Sequence, residues 1–434
     1  MGQCQKSAST TNIYEEYNFS VSLFMKTMNT DVNKNSKLAT LINRKMIGFI
    51  GATISLAAVY AASAAPIPLY NTYSQILGLT SGDLSMTAVT YFVGCVIALL
   101  MFARLSDYLG RRPVSFVTLW LAVMGCLVFF YIHNAPTILV GRFIQGFSCG
   151  LASSAVATYI LDNAPVSPRW IGAAVTSGAP MIGLAAGSFG SGALQQYGFG
   201  SPSLIFGILI VVLAVCAVLV AASLETVTRT KGAAASIVPQ IKVPKKIHYL
   251  LPAASCTFIG TWAIGGFYQA FSSSMAAEML GTNNPIVAAA IFACMMAPNL
   301  IGGALAGRQK PDVAQRIGML IFLLCVIVIL VSLKAGAIIP FLTATIFAAM
   351  AWGAAFTGSM RGLLDKTSQE DRAGVLSAIF LISYSGAAVP NLIVGLLPST
   401  FTLFEIATGY VILVSATCII TLFTTRRDEN GLTF

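Results

Sequence analysis

Charged side chains are scarce in this sequence. Asp, Glu, Lys and Arg make up 9% of its 434 residues, whereas about 25% is usual for a soluble domain. Hydrophobic residues make up 56%, so a soluble fold of this composition would have too little polar surface to face water. The length would suit about three soluble domains, but it also suits about twelve membrane spans of about 20 residues. Only the membrane interpretation explains the composition.

The sequence also lacks the patterns that an enzyme or a disulfide-bonded protein needs. Eight of its nine cysteines lie within apolar runs without the spacing of a metal site, so we expect free buried thiols and no metal. The two histidines, His133 and His248, lie near predicted helix ends, where solvation explains them. Neither a nucleophile–base pairing nor a phosphate-binding loop is present. We therefore predict no enzyme activity, no cofactor and no coupling to ATP.

Twelve apolar runs follow one another along the chain, and each is long enough for a transmembrane helix. They cover residues 46–70, 84–103, 114–132, 136–161, 170–194, 204–224, 249–275, 286–306, 317–333, 338–360, 375–397 and 403–424. The sequence therefore predicts an all-α membrane protein with twelve transmembrane helices in two pseudo-symmetric six-helix bundles.

The longest polar linker divides the runs into two sets of six. We predict a disordered cytoplasmic tail at 1–45, an N-terminal six-helix bundle at 46–224 and a cytoplasmic linker at 225–247. A C-terminal six-helix bundle at 248–425 and a cytoplasmic tail at 426–434 complete the chain.

The net charge of +10 does not indicate nucleic-acid binding, because the basic residues form no single patch. All Lys and Arg except Arg142 and Lys334 fall on alternate inter-helix segments counted from the N-terminus. By the positive-inside rule these segments are cytoplasmic, and so are both termini. The distribution predicts a multi-pass protein of the cell (inner) membrane, with the lipid bilayer as its solvent.

The two halves carry the signs of an internal repeat. Asp162 is followed seven residues later by Arg169, and Asp365 is followed seven residues later by Arg372, in each case after the fourth span of its half. Parallel six-span repeats predict a pathway where the halves meet, with alternating access by rocking. The four residues are candidates for a state-dependent latch, and simple solvation of helix ends is the alternative.

The loop between the second and third runs holds the strongest local signal. Residues 103–113 read Ala-Arg-Leu-Ser-Asp-Tyr-Leu-Gly-Arg-Arg-Pro. Gly110 allows a tight turn, and Asp107 can pair with basic groups or cap a helix N-terminus. With Arg111 and Arg112 these residues predict a polar latch that forms in one state and breaks in another. The alternative is that the loop charge only fixes the topology.

The fourth run contains a basic residue within the membrane. Arg142 lies about two turns from the outer face, at about 1.5 Å per residue, and it is followed by Gln145 and Gly146. A charge at this depth should face a partner or a wet cavity. The three residues are candidates for coupling or substrate binding, through protonation of a nearby acid or direct contact with an anionic substrate. Snorkelling of Arg142 to the outer surface is the alternative.

Nine polar or aromatic residues within the runs are candidates for lining a central cavity. Aromatic rings with a polar tip suit an amphipathic organic substrate, although the aromatic belt at the membrane surface explains several of them equally well. The candidates are Tyr60, Tyr70, Trp262, Tyr268, Gln269, Asn299, Trp352, Tyr384 and Asn391.

Two of these segments resemble motifs of the major facilitator superfamily. The loop 103–113 resembles its cytoplasmic loop signature, Gly-x-Leu-Ala-Asp-Arg-x-Gly-Arg-Lys, and departs from it at Ala103 and Tyr108. The segment from Arg142 to Gly146 resembles its Arg-x-x-Gln-Gly motif. The resemblance covers about residues 46–424 and implies the fold of a secondary transporter.

A third segment resembles the glycine–proline motif of the superfamily's antiporters in a degraded form. Gly178, Pro180 and Gly183 lie in the fifth run, where Pro bends a helix axis. The overall arrangement resembles the bacterial drug and metabolite efflux branch. It implies a monomeric, proton-coupled exporter of a small organic molecule, working as a drug or metabolite antiporter with protons. A metabolite importer, as proton symporter or facilitator, is the alternative, and a membrane receptor without transport is a third possibility.

Acidic residues are absent from the middle of the predicted spans. A proton-coupled transporter needs a group that titrates as the cavity changes access. Asp83 and Glu278, near the outer ends of their spans, are the candidates for this coupling role. The lack of a central acid favours the importer or facilitator, and the segment Gly178–Gly183 favours the exporter.

Overall fold

The computed structural model describes residues 43–431, apart from residues 166, 168–169, 198–200, 240, 242, 369–370 and 398–399. Within this part of the chain, twelve helices are long and apolar enough to cross a membrane, and there is no β-strand. The predicted all-α fold of twelve transmembrane helices is confirmed. Most of the predicted tail 1–45, and Arg169 of the predicted latch, lie outside the described residues.

The twelve helices agree with the twelve apolar runs in order and number. They are α1 (Asn43–Leu77), α2 (Ser81–Phe102), α3 (Arg111–Phe130), α4 (Ala135–Asn163), α5 (Ile171–Gln196), α6 (Pro202–Ala222), α7 (Lys245–Met279), α8 (Pro285–Ala306), α9 (Pro311–Lys334), α10 (Ile338–Leu364), α11 (Gly374–Leu396) and α12 (Leu403–Thr425).

Several helices start at residues that favour a helix N-terminus. Thr80 caps α2 through its side chain, which accepts a hydrogen bond from the Asp83 backbone N–H at 3.1 Å. Asn134 caps α4 in the same way, and Pro occupies the first position of α6 and of α9. These residues satisfy or remove N–H groups that lack a partner within the helix.

In each half, the second and the fourth helix approach each other closely at a glycine. A Cβ on Gly150 of α4 would lie 2.7 Å from the Cys95 carbonyl oxygen of α2. A Cβ on Gly353 of α10 would lie 2.0 Å from the Asn299 carbonyl oxygen of α8. Gly353 follows Gly150 at the spacing that separates Asp365 from Asp162. Small residues allow membrane helices to pack at such short distances.

The bundle has two ends that the contacts between its halves distinguish. We call the end with residues 225–247 the linker end and the opposite end the far end. Among the described residues, four hydrogen bonds join α1–α6 or their loops to α7–α12 or their loops, and all four lie toward the far end. Asn71 Nδ2 donates to Asn283 Oδ1 at 3.2 Å, and Ser188 Oγ donates to the Ala289 carbonyl at 3.3 Å. Ser85 Oγ bonds to the Asn391 carbonyl at 2.5 Å and to Asn391 Oδ1 at 3.3 Å.

The linker contacts both halves at the linker end. The Thr230 N–H donates to the Tyr108 carbonyl oxygen at 3.0 Å, in the loop between α2 and α3. Further along, Ile247 is fully buried in a small cluster with Phe258 and Leu363 of the C-terminal half. The linker is therefore held to the N-terminal half by hydrogen bonds and to the C-terminal half by the burial of Ile247.

Candidate functional site

A small cavity lies between the two halves, about midway along the helices. Its volume is about 80 Å³, well below the roughly 300–1,000 Å³ that is usual for a ligand pocket. Rings stack edge to face around it, with 4.7 Å between the centroids of Trp262 and Tyr384 and 5.9 Å between those of Trp262 and Trp352. The lining residues are Tyr60, Tyr91, Phe92, Met181, Leu184, Trp262, Gly265, Gln269, Phe292, Met296, Trp352 and Tyr384.

Five of the nine predicted cavity residues line this space, namely Tyr60, Trp262, Gln269, Trp352 and Tyr384. The other four lie elsewhere. Tyr268 donates to or accepts from Thr345 Oγ1 at 2.8 Å within the C-terminal half, and Asn391 takes part in the far-end contact with Ser85. Tyr70 is fully buried outside the cavity wall, and Asn299 begins the second segment of α8 after a break at Pro298.

The cavity wall contains no charged side chain. Its polar side-chain groups belong to three tyrosines, Gln269 and two tryptophans. Tyr60 Oη lies 2.5 Å from Ser153 Oγ, whereas the buried Trp262 Nε1 has no hydrogen-bond partner among the described residues. An aromatic wall with a few polar atoms suits an amphipathic molecule whose buried part is uncharged.

Beside the cavity, α1 is broken by prolines, and two side chains of α4 bond to the carbonyls before the break. Pro66 has no N–H, so the Ala62 carbonyl loses its usual donor four residues on. Gln145 Nε2 donates to this carbonyl at 3.0 Å. Arg142 Nη1 donates to the Ser63 carbonyl at 2.5 Å and to Gln145 Oε1 at 2.9 Å. The motif of α4 thus holds the bent part of α1.

This arrangement predicts a measurable coupling between Gln145 and Pro66. We expect Gln145→Leu to destabilise the protein by about 1–3 kcal/mol, because it leaves the buried Ala62 carbonyl without a donor. Pro66→Ala returns an N–H to that carbonyl, so Gln145→Leu should cost less in the Pro66→Ala background. Thermal unfolding of the four proteins of this double-mutant cycle measures the coupling, and strictly additive effects would contradict the assignment.

Arg142 itself is fully buried. Its guanidinium carbon lies 4.5 Å from the centroid of the Tyr91 ring, and Tyr91 also lines the cavity. Nη1 carries both of its hydrogen bonds, and Nε and Nη2 have no partner among the described residues. No carboxylate in the described ranges forms an ion pair with Arg142. The snorkelling interpretation is wrong, because the side chain reaches into the protein interior.

At the linker end, Arg111 lies at the centre of a polar cluster. It donates to Asp107 Oδ1 at 2.5 Å, to Ser106 Oγ at 2.6 Å and to Asp162 Oδ2 at 3.2 Å. Glu225 accepts the Arg111 backbone N–H at 2.8 Å and so caps the start of α3. The structure brings Asp107, Arg111 and Asp162 together, as the latch hypothesis requires, within the N-terminal half.

Gly110 and Arg112 lie beside this cluster, at the start of α3. Gly110 has a φ of 100°, a conformation that disfavours residues with a side chain, and a Cβ there would lie 2.7 Å from Glu225 Oε2. Arg112 donates from Nε to the Val220 carbonyl at 3.2 Å and from Nη2 to the Ala221 carbonyl. Arg112 therefore ties α3 to the end of α6 and does not pair with an acid.

The C-terminal half has no matching cluster in the part of the chain that the structure describes. Asp365 and Arg372 are exposed, and Asp365 forms no ion pair with Arg372 or with another described residue. Arg361 bonds instead to three carbonyls of the neighbouring loop, those of Ala306, Gly307 and Gln309. Asp162 thus pairs with Arg111, whereas Asp365 forms no such ion pair with a described residue, and Arg169 lies outside the described residues.

The two candidate acids lie far from the cavity. Asp83 Oδ2 accepts from the backbone and side chain of Thr80 at 2.9 and 2.7 Å, which completes a capping box at the far end. Glu278 is exposed in the π-helical last turn of α7.

The glycine–proline segment lies in α5. Pro180 lies inside the helix, and Gly183 packs so closely that a Cβ would lie 2.3 Å from the Ala57 carbonyl oxygen. Gly178 lies near Leu300, across the interface of the halves.

A family model described as Major Facilitator Superfamily matches residues 52–390. The chain belongs to the Major Facilitator Superfamily. The match covers more than half of the chain and extends from α1 into α11, and with the twelve apolar helices it makes this a multi-pass membrane protein.

Individual superfamily proteins resemble parts of the sequence or the whole fold. The multidrug resistance protein MdtL of Klebsiella pneumoniae is 32% identical over 93 residues, which are 21% of this chain and 24% of that protein. The sugar transporter ERD6-like 16 of Arabidopsis thaliana is 28% identical over 102 residues, 24% of this chain and 21% of that protein. The matches thus span about a fifth to a quarter of these relatives.

A solved structure of a D-xylose-proton symporter has the same fold. Its TM-score is 0.72 at 14% identity, and the alignment covers 87% of this chain and 97% of the symporter. At this identity the likeness concerns the fold alone.

Within this superfamily fold, sequence reasoning missed several residues of the site. Tyr91, Phe92 and Phe292 line the cavity, but their apolar surroundings in sequence give no sign of it. Trp262, Gly265 and Gln269 share one face of α7, at positions i, i+3 and i+7. Since Trp262 and Gln269 are predicted cavity residues, this spacing could have predicted that Gly265 lines the cavity as well. Glu225 was missed because it lies in the linker, 114 residues from Arg111.

Proposed function

We propose that this chain is a secondary transporter that moves a small amphipathic organic molecule across the membrane by alternating access. The observation that carries the proposal is the aromatic, uncharged cavity between the halves, combined with hydrogen bonds that join the described residues of the halves at the far end. The cavity is too small for a drug-sized ligand as it stands. Binding therefore requires the halves to separate around it.

We infer export as the direction, with protons as the counter-ion. The concentration of Lys and Arg at the linker end supports a cytoplasmic position for this end and for both termini. A cavity that is closed by contacts at the far end is then ready to receive a molecule from the cytoplasm. The partial similarity to a multidrug resistance protein and the segment Gly178–Gly183 support export by a monomer.

Import is the second candidate, as proton symport or facilitated diffusion. It is favoured by the cavity wall, which has no acid to carry a proton, and by the places of Asp83 and Glu278 far from that wall. A facilitator needs no titrating group, so the absence of a carboxylate from the wall is compatible with facilitated diffusion.

We propose that the cluster of Asp107, Arg111 and Asp162 acts as the cytoplasmic latch. An exposed ion pair contributes only about 0–1 kcal/mol, and Asp107 is 49% exposed. A contact of this strength can break and re-form during transport without a large barrier. A receptor without transport would have no use for it.

The test of the function uses purified protein in liposomes with a pH-sensitive dye inside. A panel of small aromatic amphipathic compounds is added under an imposed pH gradient, and proton movement and compound movement are recorded together. Coupled movement in opposite directions supports the antiporter, and equilibration of a compound without proton movement supports the facilitator. No flux of any compound contradicts transport and favours the receptor.

We expect Trp262→Ala to lower the initial transport rate at least about tenfold, because it removes the ring that contacts Trp352, Tyr384 and Phe92. Loss of one such set of aromatic contacts is worth at least about 1.4 kcal/mol. Trp120→Ala is the matched control, since Trp120 is 53% exposed on the outside of α3. Equal rates for the two variants would contradict the role of the cavity.

A further inference from the structure

Arg142 is a buried cation whose charge no described acid balances. Arg cannot lose its proton in a protein, and a buried charge is costly unless it is paired. The side chain is fully buried, and its described partners are a backbone carbonyl, the Gln145 amide oxygen and the face of the Tyr91 ring. All three are neutral, so the positive charge lacks a counter-charge within the described protein.

The two nitrogens without a partner lie on the same edge of the guanidinium group. Nη1 is engaged with Ser63 and Gln145, and Nε and Nη2 are buried without a hydrogen-bond partner. The Nε–Nη2 edge presents two parallel N–H groups, which match the two oxygens of a carboxylate. The unused edge is therefore the one that recognises a planar anion.

Two buried tyrosines one turn apart on α1, one of them close to Arg142, also have hydroxyls without a hydrogen-bond partner among the described residues. Tyr70 and Tyr73 lie on the part of α1 beyond its break, and both are buried. Neither hydroxyl forms a hydrogen bond of good geometry with a described residue. Arg142 and the Thr87 side chain both lie near the Tyr70 hydroxyl, and Tyr73 lies near Tyr70. Buried polar groups nearly always have a partner, and a single anion can accept hydrogen bonds from the guanidinium edge and from a hydroxyl.

We propose that Arg142, assisted by Tyr70 and Tyr73, binds a monovalent anion that enters from the central cavity past Tyr91. The anion is either the carboxylate of the transported molecule or a halide ion. Tyr91 lies between the cavity and Arg142, because it lines the cavity and its ring faces the guanidinium. The substrate class that follows is an amphipathic organic acid, with its apolar part among the cavity rings and its carboxylate on Arg142.

The carboxylate version rests on the proposed function, whereas binding of an anion does not require transport. The test therefore measures equilibrium binding to the purified full-length protein in lipid nanodiscs, without a gradient. Radiolabelled benzoate and radiolabelled chloride are the two probes, with ionic strength held constant by potassium sulfate. Transport failure with intact benzoate binding would overturn the proposed function and leave the anion site standing.

We expect at least one probe to bind saturably, and Arg142→Gln to weaken that binding more than tenfold. Arg142→Lys keeps the charge and loses the two parallel donors, so it should weaken benzoate binding more than chloride binding. Tyr70→Phe should lower the affinity for the probe that binds by about three- to tenfold. Tyr410→Phe should leave it unchanged, since Tyr410 is also a buried tyrosine with an unpartnered hydroxyl but lies in α12.

The two probes separate the sources of the anion. Saturable benzoate binding that acetate displaces assigns a carboxylate ligand, and chloride binding without benzoate binding assigns a halide. Absence of both, or binding that Arg142→Gln and Tyr70→Phe leave intact in proteins with a normal size-exclusion profile, would overturn the proposal. In that outcome Arg142 is only a brace for the bent helix α1.

Discussion

Replacing Gly146 with alanine is expected to lower the melting temperature of the protein by roughly 5 °C or more. A Cβ at this position would lie 1.9 Å from the Tyr91 carbonyl oxygen and 2.7 Å from its carbonyl carbon. Both atoms belong to the backbone of α2, so they cannot rotate away as a side chain can. Helices α2 and α4 must separate, which costs about 3 kcal/mol or more, at the upper end of the range for overpacking.

The matched control is Gly190→Ala, since nothing lies within 4 Å of a Cβ built on Gly190 of α5. Alanine has a higher helix propensity than glycine by about 1 kcal/mol, so this control should keep or raise the melting temperature. Fluorescence-detected thermal unfolding in detergent compares the two variants. A Gly146→Ala protein as stable as the control would mean that α2 and α4 do not approach at this glycine.

The double variant Gly82→Cys/Gly395→Cys is expected to stop transport when it is oxidised and to recover when it is reduced. A Cβ on Gly82 would lie 3.9 Å from the Gly395 Cα, and a Cβ on Gly395 would lie 3.6 Å from the Gly82 carbonyl oxygen, so the two backbones are close enough for a disulfide to be attempted here. The two residues belong to α2 and α11, one in each half. A bond between them holds the far end closed, and alternating access requires this end to open.

Each single cysteine variant serves as a control, because the native cysteines among the described residues are all free. A Cβ on Gly395 also lies 2.9 Å from the flexible Met86 side chain, and the single Gly395→Cys variant measures that disturbance alone. A protease site introduced in the linker shows cross-linking as one band instead of two. Full cross-linking with undiminished transport would refute opening at the far end.

The number and class of the helices could be predicted from the sequence because the bilayer leaves few choices. Within hydrocarbon every backbone group must be paired inside its own segment, so twelve long apolar runs predict twelve helices. The ends were less predictable. The first apolar run predicts a helix over 46–70, but α1 continues to Leu77, because the chain resumes its helix after the break at Pro66 and Pro68.

The lining of the cavity could be predicted only in part, because helices such as α7 are apolar on all sides. Tyr268 and Gln269 are neighbours in sequence, yet a rotation of about 100° per residue turns Tyr268 toward Thr345 and leaves Gln269 at the cavity. Periodicity cannot choose between such faces when no face is polar. Arg142 could be identified as a candidate because burying a charge within the membrane is energetically costly. Its partners on α1 could not be predicted, because they depend on where α1 breaks and on which carbonyls Pro66 leaves without a donor.

The uncharged wall of the cavity should tolerate single amino-acid substitutions during evolution. A charged wall ties residues together, because replacing one member strands its counter-ion at a cost of about 3–5 kcal/mol. A wall of rings, Met and Leu can be remodelled one side chain at a time, and volume-conserving apolar exchanges usually cost less than about 1.5 kcal/mol. If this wall binds the transported molecule, as we propose, its specificity can change by single substitutions without altering Arg142.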